Sequence, residues 1–197
     1  AETGELLSWS GQAAGTTQKI VLTALGGSVA TPSEGLTAEV VVVPDFDALR
    51  ALPVGAVKGK ILLINHPFDK ELAAVGNGGA AYGNGVIYRG AGPIAGAAVG
   101  AVAVLVRSVG GADFRLPHTG LTMYRSGLAK IPAAAVTAED ADLLADLAAQ
   151  GPVRMRLTLT PQTLPDAQSY NVIADWKGTE HPEQVVIVSG HLDSWDL

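Results

Sequence analysis

Short runs of β-branched residues alternate with helical patterns along this chain, and that alternation limits the folds open to it. Residues 37–43 and 60–64 are rich in Val, Ile and Leu and predict strands, with a short helix at residues 46–50 between them. A third strand is predicted at residues 101–106. The small-residue-rich segment before it, residues 86–98, is expected to be a helix that can pack close to a sheet. Strands that alternate with helices indicate a mixed α/β fold.

Three further segments complete this assignment. Residues 18–25 form a β-rich run closed by two glycines, which predicts one strand followed by a turn. Thr137 is expected to cap a helix over residues 138–150, because its hydroxyl can accept from a free N–H group in the first turn. Residues 153–159 then alternate between apolar and polar, which is typical of a half-buried strand.

Composition excludes several classes of protein. Hydrophobic residues make up 48% of the 197, enough for one large or two small domains with a real core. There are 13 basic and 19 acidic residues, a net charge of −6, and no Lys/Arg cluster, so no nucleic-acid partner is predicted. The absence of cysteine excludes disulfides and thiolate metal sites. The apolar stretch at residues 94–106 is shorter than the ~20 residues that a membrane span needs, so none is predicted.

The end of the sequence carries the pattern with the clearest chemistry. Two strands are predicted at residues 171–176 and 184–189, as a hairpin, and the second leads to His191 and then to Asp193. Residues two apart on an extended segment project the same way. A neutral histidine can bind zinc through one ring nitrogen while its other N–H donates to a carboxylate. We therefore predict His191 as a zinc ligand oriented by Asp193; a polar strand end at the surface is the alternative.

This pattern belongs to a longer likeness. Residues 170–178 and 183–196 resemble the co-catalytic zinc metallopeptidases of the aminopeptidase and glutamate carboxypeptidase type, and in particular their plasma glutamate carboxypeptidase subfamily. Upstream matches at residues 35–40, 117–120 and 130–132 extend the resemblance over nearly the whole chain. The resemblance implies a β-rich protease-associated domain with flanking helices, bounded by strands of an α/β catalytic domain.

The resemblance also implies a division into three parts. Residues 1–36 are expected to be a leading segment of the catalytic domain. Residues 37–161 are expected to be the protease-associated insert. Residues 162–197 are expected to be strands of the catalytic domain that end at the first zinc-ligand motif.

The function implied by the resemblance is zinc-dependent exopeptidase activity on short peptides or dipeptides, with the insert gating or shaping the substrate cleft. The family holds two zinc ions with a His/Asp/Glu/Asp/His set, of which this sequence has His191. Because a catalytic zinc ion needs about three protein ligands, residues 1–197 alone are expected to be inactive and to hold no zinc tightly. The other expected partners are the remainder of the catalytic domain and a second copy in a homodimer, and the expected location is secreted or periplasmic. The alternative is a non-catalytic protease-associated module for protein interaction or dimerisation.

A second candidate site lies in the insert. Residues 117–120, Pro-His-Thr-Gly, and Tyr124 occupy a loop that could roof a catalytic cleft. His118 and Tyr124 are therefore candidates for contact with substrate. The alternative is a turn held by the Thr119 hydroxyl and the glycine that follows it.

Other polar patterns favour structural roles. The glycine-rich residues 76–85 lack the Gly-Lys-Ser/Thr ending of a phosphate-binding loop and predict a flexible loop. His66 and His181 each stand beside a proline, and loop packing or solvent exposure is expected for both. No metal-binding spacing such as His-Glu-x-x-His occurs in the sequence.

Overall fold

A computed structural model describes residues 1–111 and 114–192, and it divides the chain into two compact units, Ala1–Gln162 and Thr163–Leu197. In the described part of the chain, every assigned helix and strand lies in the first unit. The strands are β1 (Glu2–Ser8), β2 (Gln18–Ile20), β3 (Leu22–Ala24), β4 (Leu36–Val43), β5 (Ile61–Ile64), β6 (Ala103–Arg107), β7 (Ala133–Val136) and β8 (Arg154–Leu159). The helices are α1 (Phe46–Ala51), α2 (Lys70–Leu72), α3 (Gly78–Ala98) and α4 (Ala138–Gln150), with a kinked π-helical turn at Ala73–Asn77 before α3.

The strands form one eight-stranded sheet in the order β2-β1-β8-β4-β5-β6-β7-β3. Neighbouring strands from β4 to β7 are parallel, and the remaining pairs are antiparallel. β2 and β3 occupy opposite ends of this order, yet only Val21 separates them along the chain. The sheet must therefore curl until its two ends come together, which gives a nearly closed barrel. The mixed α/β class predicted from the sequence is confirmed.

Val21 lies at the seam of this barrel, the place where the two ends of the sheet meet, and it is hydrogen-bonded to the start of α4. The Val21 N–H donates to the carboxylate of Asp140 at 2.6 Å, and its carbonyl accepts from the Thr137 N–H at 3.1 Å. Both backbone groups of Val21 are thus hydrogen-bonded to the N-terminal end of α4 and not to a neighbouring strand. The single strand predicted at residues 18–25 is wrong for this reason: the run divides at Val21 into two strands with different neighbours.

The middle of the sheet is buried on both faces, as parallel strands usually are. Along β5, Ile61 and Leu63 point into the core shared with β1, β8 and α4, whereas Leu62 and Ile64 point into the core beneath α1 and α3. All four side chains have no exposed surface. The run that predicted a buried strand therefore separates two hydrophobic cores.

Helix α3 is longer than the sequence predicted. The helix expected at residues 86–98 is confirmed, but it begins at Gly78, so the flexible loop predicted for residues 76–85 is wrong. Packing of residues such as Ala81 and Tyr88 outweighs the low helix propensity of glycine. Gly76 has φ +87°, a conformation that glycine adopts without strain, and it forms the kink before the helix. In the described residues no helix, α3 included, has the length and apolar character needed to cross a membrane.

The second unit differs from its predicted structure. No strand is assigned in its described residues, 163–192, and its apolar side chains are exposed; Val188, for example, is 93% exposed. An isolated two-stranded hairpin is marginal in water, because strands gain stability from further strands and a packed face. The described part of this unit supplies neither for the hairpin predicted from residues 171–176 and 184–189.

The predicted domain boundaries follow residues 36 and 161. A boundary at residue 36 does not separate compact units, because β1 and β3 pair with β8 and β7 in the same sheet as β4. The first unit ends at Gln162. The assignment of residues 1–36 and 162–197 to a catalytic domain stays a prediction.

Candidate functional site

The connection from β6 to β7 places His118 at the carboxyl edge of the parallel strands, beside Ser108 at the end of β6. The His118 N–H donates to Ser108 Oγ at 2.8 Å, and the Ser108 hydroxyl donates to the Val136 carbonyl at 2.8 Å. The Thr119 hydroxyl donates to the Ala24 carbonyl at 2.8 Å. The loop is thus tied to the ends of β3, β6 and β7, and the Thr119 hydroxyl bonds to β3 and does not close a local turn.

The imidazole of His118 belongs to a polar group that α3 supplies. Its Nε2 lies 2.9 Å from the Tyr82 hydroxyl, and the two rings meet edge to face with centroids 5.7 Å apart. Arg89 Nη1 donates to that hydroxyl at 3.0 Å and to the Thr119 carbonyl at 3.1 Å. Because the hydroxyl accepts from Arg89, its own proton is available to the imidazole. His118 Nε2 then acts as the acceptor, a tautomer inferred from this network.

Arg89 is a buried cation. It is 9% exposed, its Nε has no hydrogen-bond partner, and none of the ion pairs in the described residues includes it. Gly120 lies against the guanidinium with φ +153°, and a Cβ atom at this position would overlap Arg89. Only glycine leaves room for this contact in this conformation. The loop and α3 therefore enclose a positive charge beside His118.

The electrostatics of this group favour a neutral imidazole. Burial lowers the pKa of His118 below its ordinary value of 6.5, and the nearby positive charge of Arg89 lowers it further. At neutral pH the ring is therefore uncharged, so its Nε2 can accept the hydrogen bond from the Tyr82 hydroxyl. The arrangement can bind a polar group that approaches the carboxyl edge of the sheet, with the cation of Arg89 behind it.

Tyr124, the other predicted substrate contact, occupies a different position. Its hydroxyl donates to the Ile131 carbonyl at 2.7 Å and accepts from the Val29 N–H at 3.1 Å. Lys130 Nζ lies 5.6 Å from the centroid of its ring. These bonds join the segment that leads into β7 to the segment after β3. In the described residues, no hydrogen bond links Tyr124 to His118, and its role toward substrate stays a prediction.

The two histidines expected to be structural have local contacts. The His66 ring lies 4.5 Å, centroid to centroid, from the ring of Tyr88. His181, in the second unit, lies 3.4 Å from the Glu183 carboxylate, and both side chains are about two-thirds exposed. These positions agree with packing for the first and exposure for the second.

The predicted zinc motif is only partly described. His191 is exposed in the second unit, and Asp193 lies outside the described residues, so their pairing stays a prediction. Across residues 1–111 and 114–192, no three His, Cys, Asp or Glu side chains are gathered as a metal site requires. Because a catalytic zinc ion takes about three protein ligands, these residues by themselves do not fit a zinc ion.

Sequence reasoning missed Tyr82 and Arg89. They lie seven residues apart, about two helical turns, so they share one face of α3. That spacing was the available signal. It was hidden because the glycines around Tyr82 predicted a loop, and the shared face has meaning only once the segment is helical.

Comparisons with known proteins identify relatives of this chain. The chain is 44% identical over 181 residues to carboxypeptidase Q of Xenopus laevis, a match that covers 91% of this chain and 36% of that protein. It is 42% identical over 180 residues to human carboxypeptidase Q, with the same two coverages. The chain thus spans about a third of the length of the curated relatives it matches. No family model matches it.

A solved structure of a peptidase has a similar fold. The peptidase M28 precursor from Shewanella amazonensis SB2B superposes with a TM-score of 0.70 and 34% identity, over 81% of this chain and 34% of that one. The chain is therefore homologous to peptidases of the M28 type over about a third of their length. Its homology to carboxypeptidase Q extends over nearly all of its own length.

Proposed function

We propose that this chain forms the protease-associated part of a zinc-dependent exopeptidase that hydrolyses short peptides or dipeptides. The observation that carries the proposal is the 44% identity to a carboxypeptidase over 91% of the chain. In this proposal the 197 residues are part of a longer protein, and the rest of the catalytic domain supplies the remaining zinc ligands and the general base. The proposed location is secreted or periplasmic.

The first unit would shape the substrate cleft through the loop that carries His118. The support for this is the polar group at the carboxyl edge of the sheet, where His118 and Tyr82 lie in front of the buried guanidinium of Arg89. Such a preorganised group can accept or donate hydrogen bonds to a peptide without large rearrangement. We expect this polar group to contribute to substrate binding, so loss of the group should raise KM more than it lowers kcat.

The predicted roles of His191 and Asp193 would apply to the catalytic centre. His191 would be one zinc ligand, and Asp193 would hold its ring in the tautomer that binds the metal. Bound zinc would polarise the scissile carbonyl and lower the pKa of an attacking water. One imidazole is too few ligands to hold the ion, so we expect no peptidase activity from residues 1–197 alone.

The test is zinc-dependent dipeptide hydrolysis by a longer protein that contains this chain and continues through the remaining ligands. His191→Ala should abolish activity and reduce bound zinc, whereas His118→Ala should retain zinc and raise KM. His181→Ala is the matched control, because that side chain is exposed and pairs with Glu183 at the surface. Full activity in His191→Ala would refute the ligand role. Unchanged kcat and KM in His118→Ala would refute the role of the loop.

A second candidate is a protease-associated module that binds proteins or dimerises without chemistry of its own. The observation in its favour is that residues 1–162 form a compact unit with two hydrophobic cores. An inactive, correctly folded, zinc-bound longer protein would support this candidate. Sedimentation of that protein would then show whether the module forms a homodimer.

A further inference from the structure

Arg115 is the one non-glycine residue with positive φ in the described part of the chain, at φ +52°. An arginine in the left-handed region is held there by its surroundings, because its Cβ crowds the backbone in this conformation. Arg115 lies three residues before His118, at the other end of the loop segment that carries the imidazole. The contacts that hold Arg115 therefore help to fix the position of His118.

The contacts of Arg115 converge on the start of α4. Its backbone N–H donates to Glu139 Oε1 at 2.8 Å. Its Nη2 and Nε donate to the Asp140 carboxylate at 2.9 Å and 3.2 Å, and Nη2 also donates to the Lys19 carbonyl at 3.0 Å. The Asp140 side chain is 4% exposed, whereas that of Arg115 is 45% exposed. The planar guanidinium thus reaches from the surface to a buried carboxylate, with the fork geometry that lysine cannot reproduce.

Asp140 is itself fixed to the barrel. Its Oδ2 accepts from the Val21 N–H at the seam, and its backbone N–H donates to the Thr137 hydroxyl that caps α4. At the other end of the segment, Thr119 is bound to the end of β3 and to Arg89. The segment from Arg115 to Thr119 is therefore anchored at both ends, with His118 between the anchors. Arg115→Ala would remove the guanidinium contacts with Asp140 and Lys19 and leave only the backbone N–H bond to Glu139 at this end.

We propose that Arg115 is a positioning residue: its clamp on Asp140 and Glu139 holds the loop so that His118 meets Tyr82 at the carboxyl edge of the sheet. Arg115 does not need to touch substrate in this role. The kinetic part of the inference rests on the proposed function of the His118 loop. The structural part concerns only the placement of His118 in the 197-residue chain.

The structural test uses NMR on the 197-residue chain and follows the His118 ring resonances and the amide exchange of residues 116, 118 and 119. Arg115→Ala should move the His118 ring resonances and speed exchange at these amides roughly tenfold or more, the scale of losing one charge-assisted hydrogen bond. Arg115→Lys keeps the charge and should restore part of the protection. Arg50→Ala is the matched control, since Arg50 pairs with Asp47 in an exposed helical turn. The His66 resonances report whether the fold is intact.

Unchanged His118 resonances and exchange rates in Arg115→Ala would overturn the inference. If Arg115→Ala fails to fold, Arg115→Lys decides: native protection at residues 116, 118 and 119 without the guanidinium fork would also overturn it. The kinetic test uses the longer peptidase, where Arg115→Ala should raise KM with kcat little changed, as His118→Ala does. If the resonances move while neither variant changes KM, the positioning role stands and the proposed substrate role of the loop fails.

Discussion

Two glycines of α3 should respond in opposite ways to the same substitution. Gly96 lies where the helix meets β6, and a Cβ atom there would overlap Cγ2 of Val104, a side chain with no exposed surface. Gly83 lies on the exposed side of the same helix, with no atom within 4 Å of the position of a Cβ. Gly83→Ala is therefore the matched control for Gly96→Ala.

The magnitudes follow from two opposing effects. Alanine is favoured over glycine inside a helix by about 0.8–1 kcal/mol, so Gly83→Ala should raise the free energy of unfolding by up to about 1 kcal/mol. Gly96→Ala receives the same gain, but forcing a methyl group into a packed core costs about 1–3 kcal/mol. Its net effect should lie between about 0 and 2 kcal/mol of destabilisation. The two variants should differ by about 1–3 kcal/mol.

Urea unfolding of the 197-residue chain, followed by far-ultraviolet circular dichroism, measures this difference. At about 2–4 °C per kcal/mol for a domain of this size, thermal unfolding should separate the variants by roughly 2–12 °C. Gly92→Ala should fall between them, because a Cβ there would lie 3.3–3.5 Å from three core side chains. The reasoning is refuted if Gly96→Ala stabilises the protein as much as Gly83→Ala does, because the helix would then not be in close contact with the sheet.

Two further predictions concern ionisation and capping. The folded-state pKa of His118 is below 6.5, so the unfolded chain binds its proton first as pH falls; the stability contributed by the neutral ring is present above pH 6.5 and is lost as pH falls through the folded-state pKa. His118→Gln should therefore flatten the pH dependence of the unfolding free energy below pH 6.5, and an unchanged slope, with His181→Gln as control, would contradict this. Thr137 is buried and its hydroxyl accepts from the Asp140 N–H at 3.3 Å, so Thr137→Ala should lower the unfolding free energy by about 1–2 kcal/mol in urea. Thr137→Ser keeps the hydroxyl and should lose less; equal losses would remove the cap as the cause.

Local sequence patterns were enough to predict many of the helices and strands of the first unit. The helix at residues 138–150 lies between the capping Thr137 and Gly151, carries an apolar stripe and has the predicted bounds. The apolar runs at β4, β5 and β6 were likewise identified as strands, because a buried strand needs a continuous apolar sequence. The small residues of α3 predicted its close approach to the sheet, and Gly92 and Gly96 make that approach.

The tertiary structure decided what depends on distant partners. The run at residues 18–25 is uniformly β-like, and only the hydrogen bonds from Asp140 and Thr137 to Val21 divide it into two edge strands. Helix formation through the glycines before Val86 depends on packing of α3 against the barrel, which propensity does not encode. The strand patterns after residue 163 remain unpaired in the described residues, because a strand is completed by neighbours and not by its own sequence.

The candidate site divides in the same way. The sequence by itself proposed His118, through a short motif in a loop, and His191 with Asp193, through their spacing, and the roles of these residues stay predictions. It could not determine that Tyr82 and Arg89 meet His118, nor that Arg115 reaches Asp140 across 25 residues of chain. Periodicity records which side chains share a face of one element. Contacts between elements arise only when the barrel closes and brings the ends of its strands, α3 and α4 together.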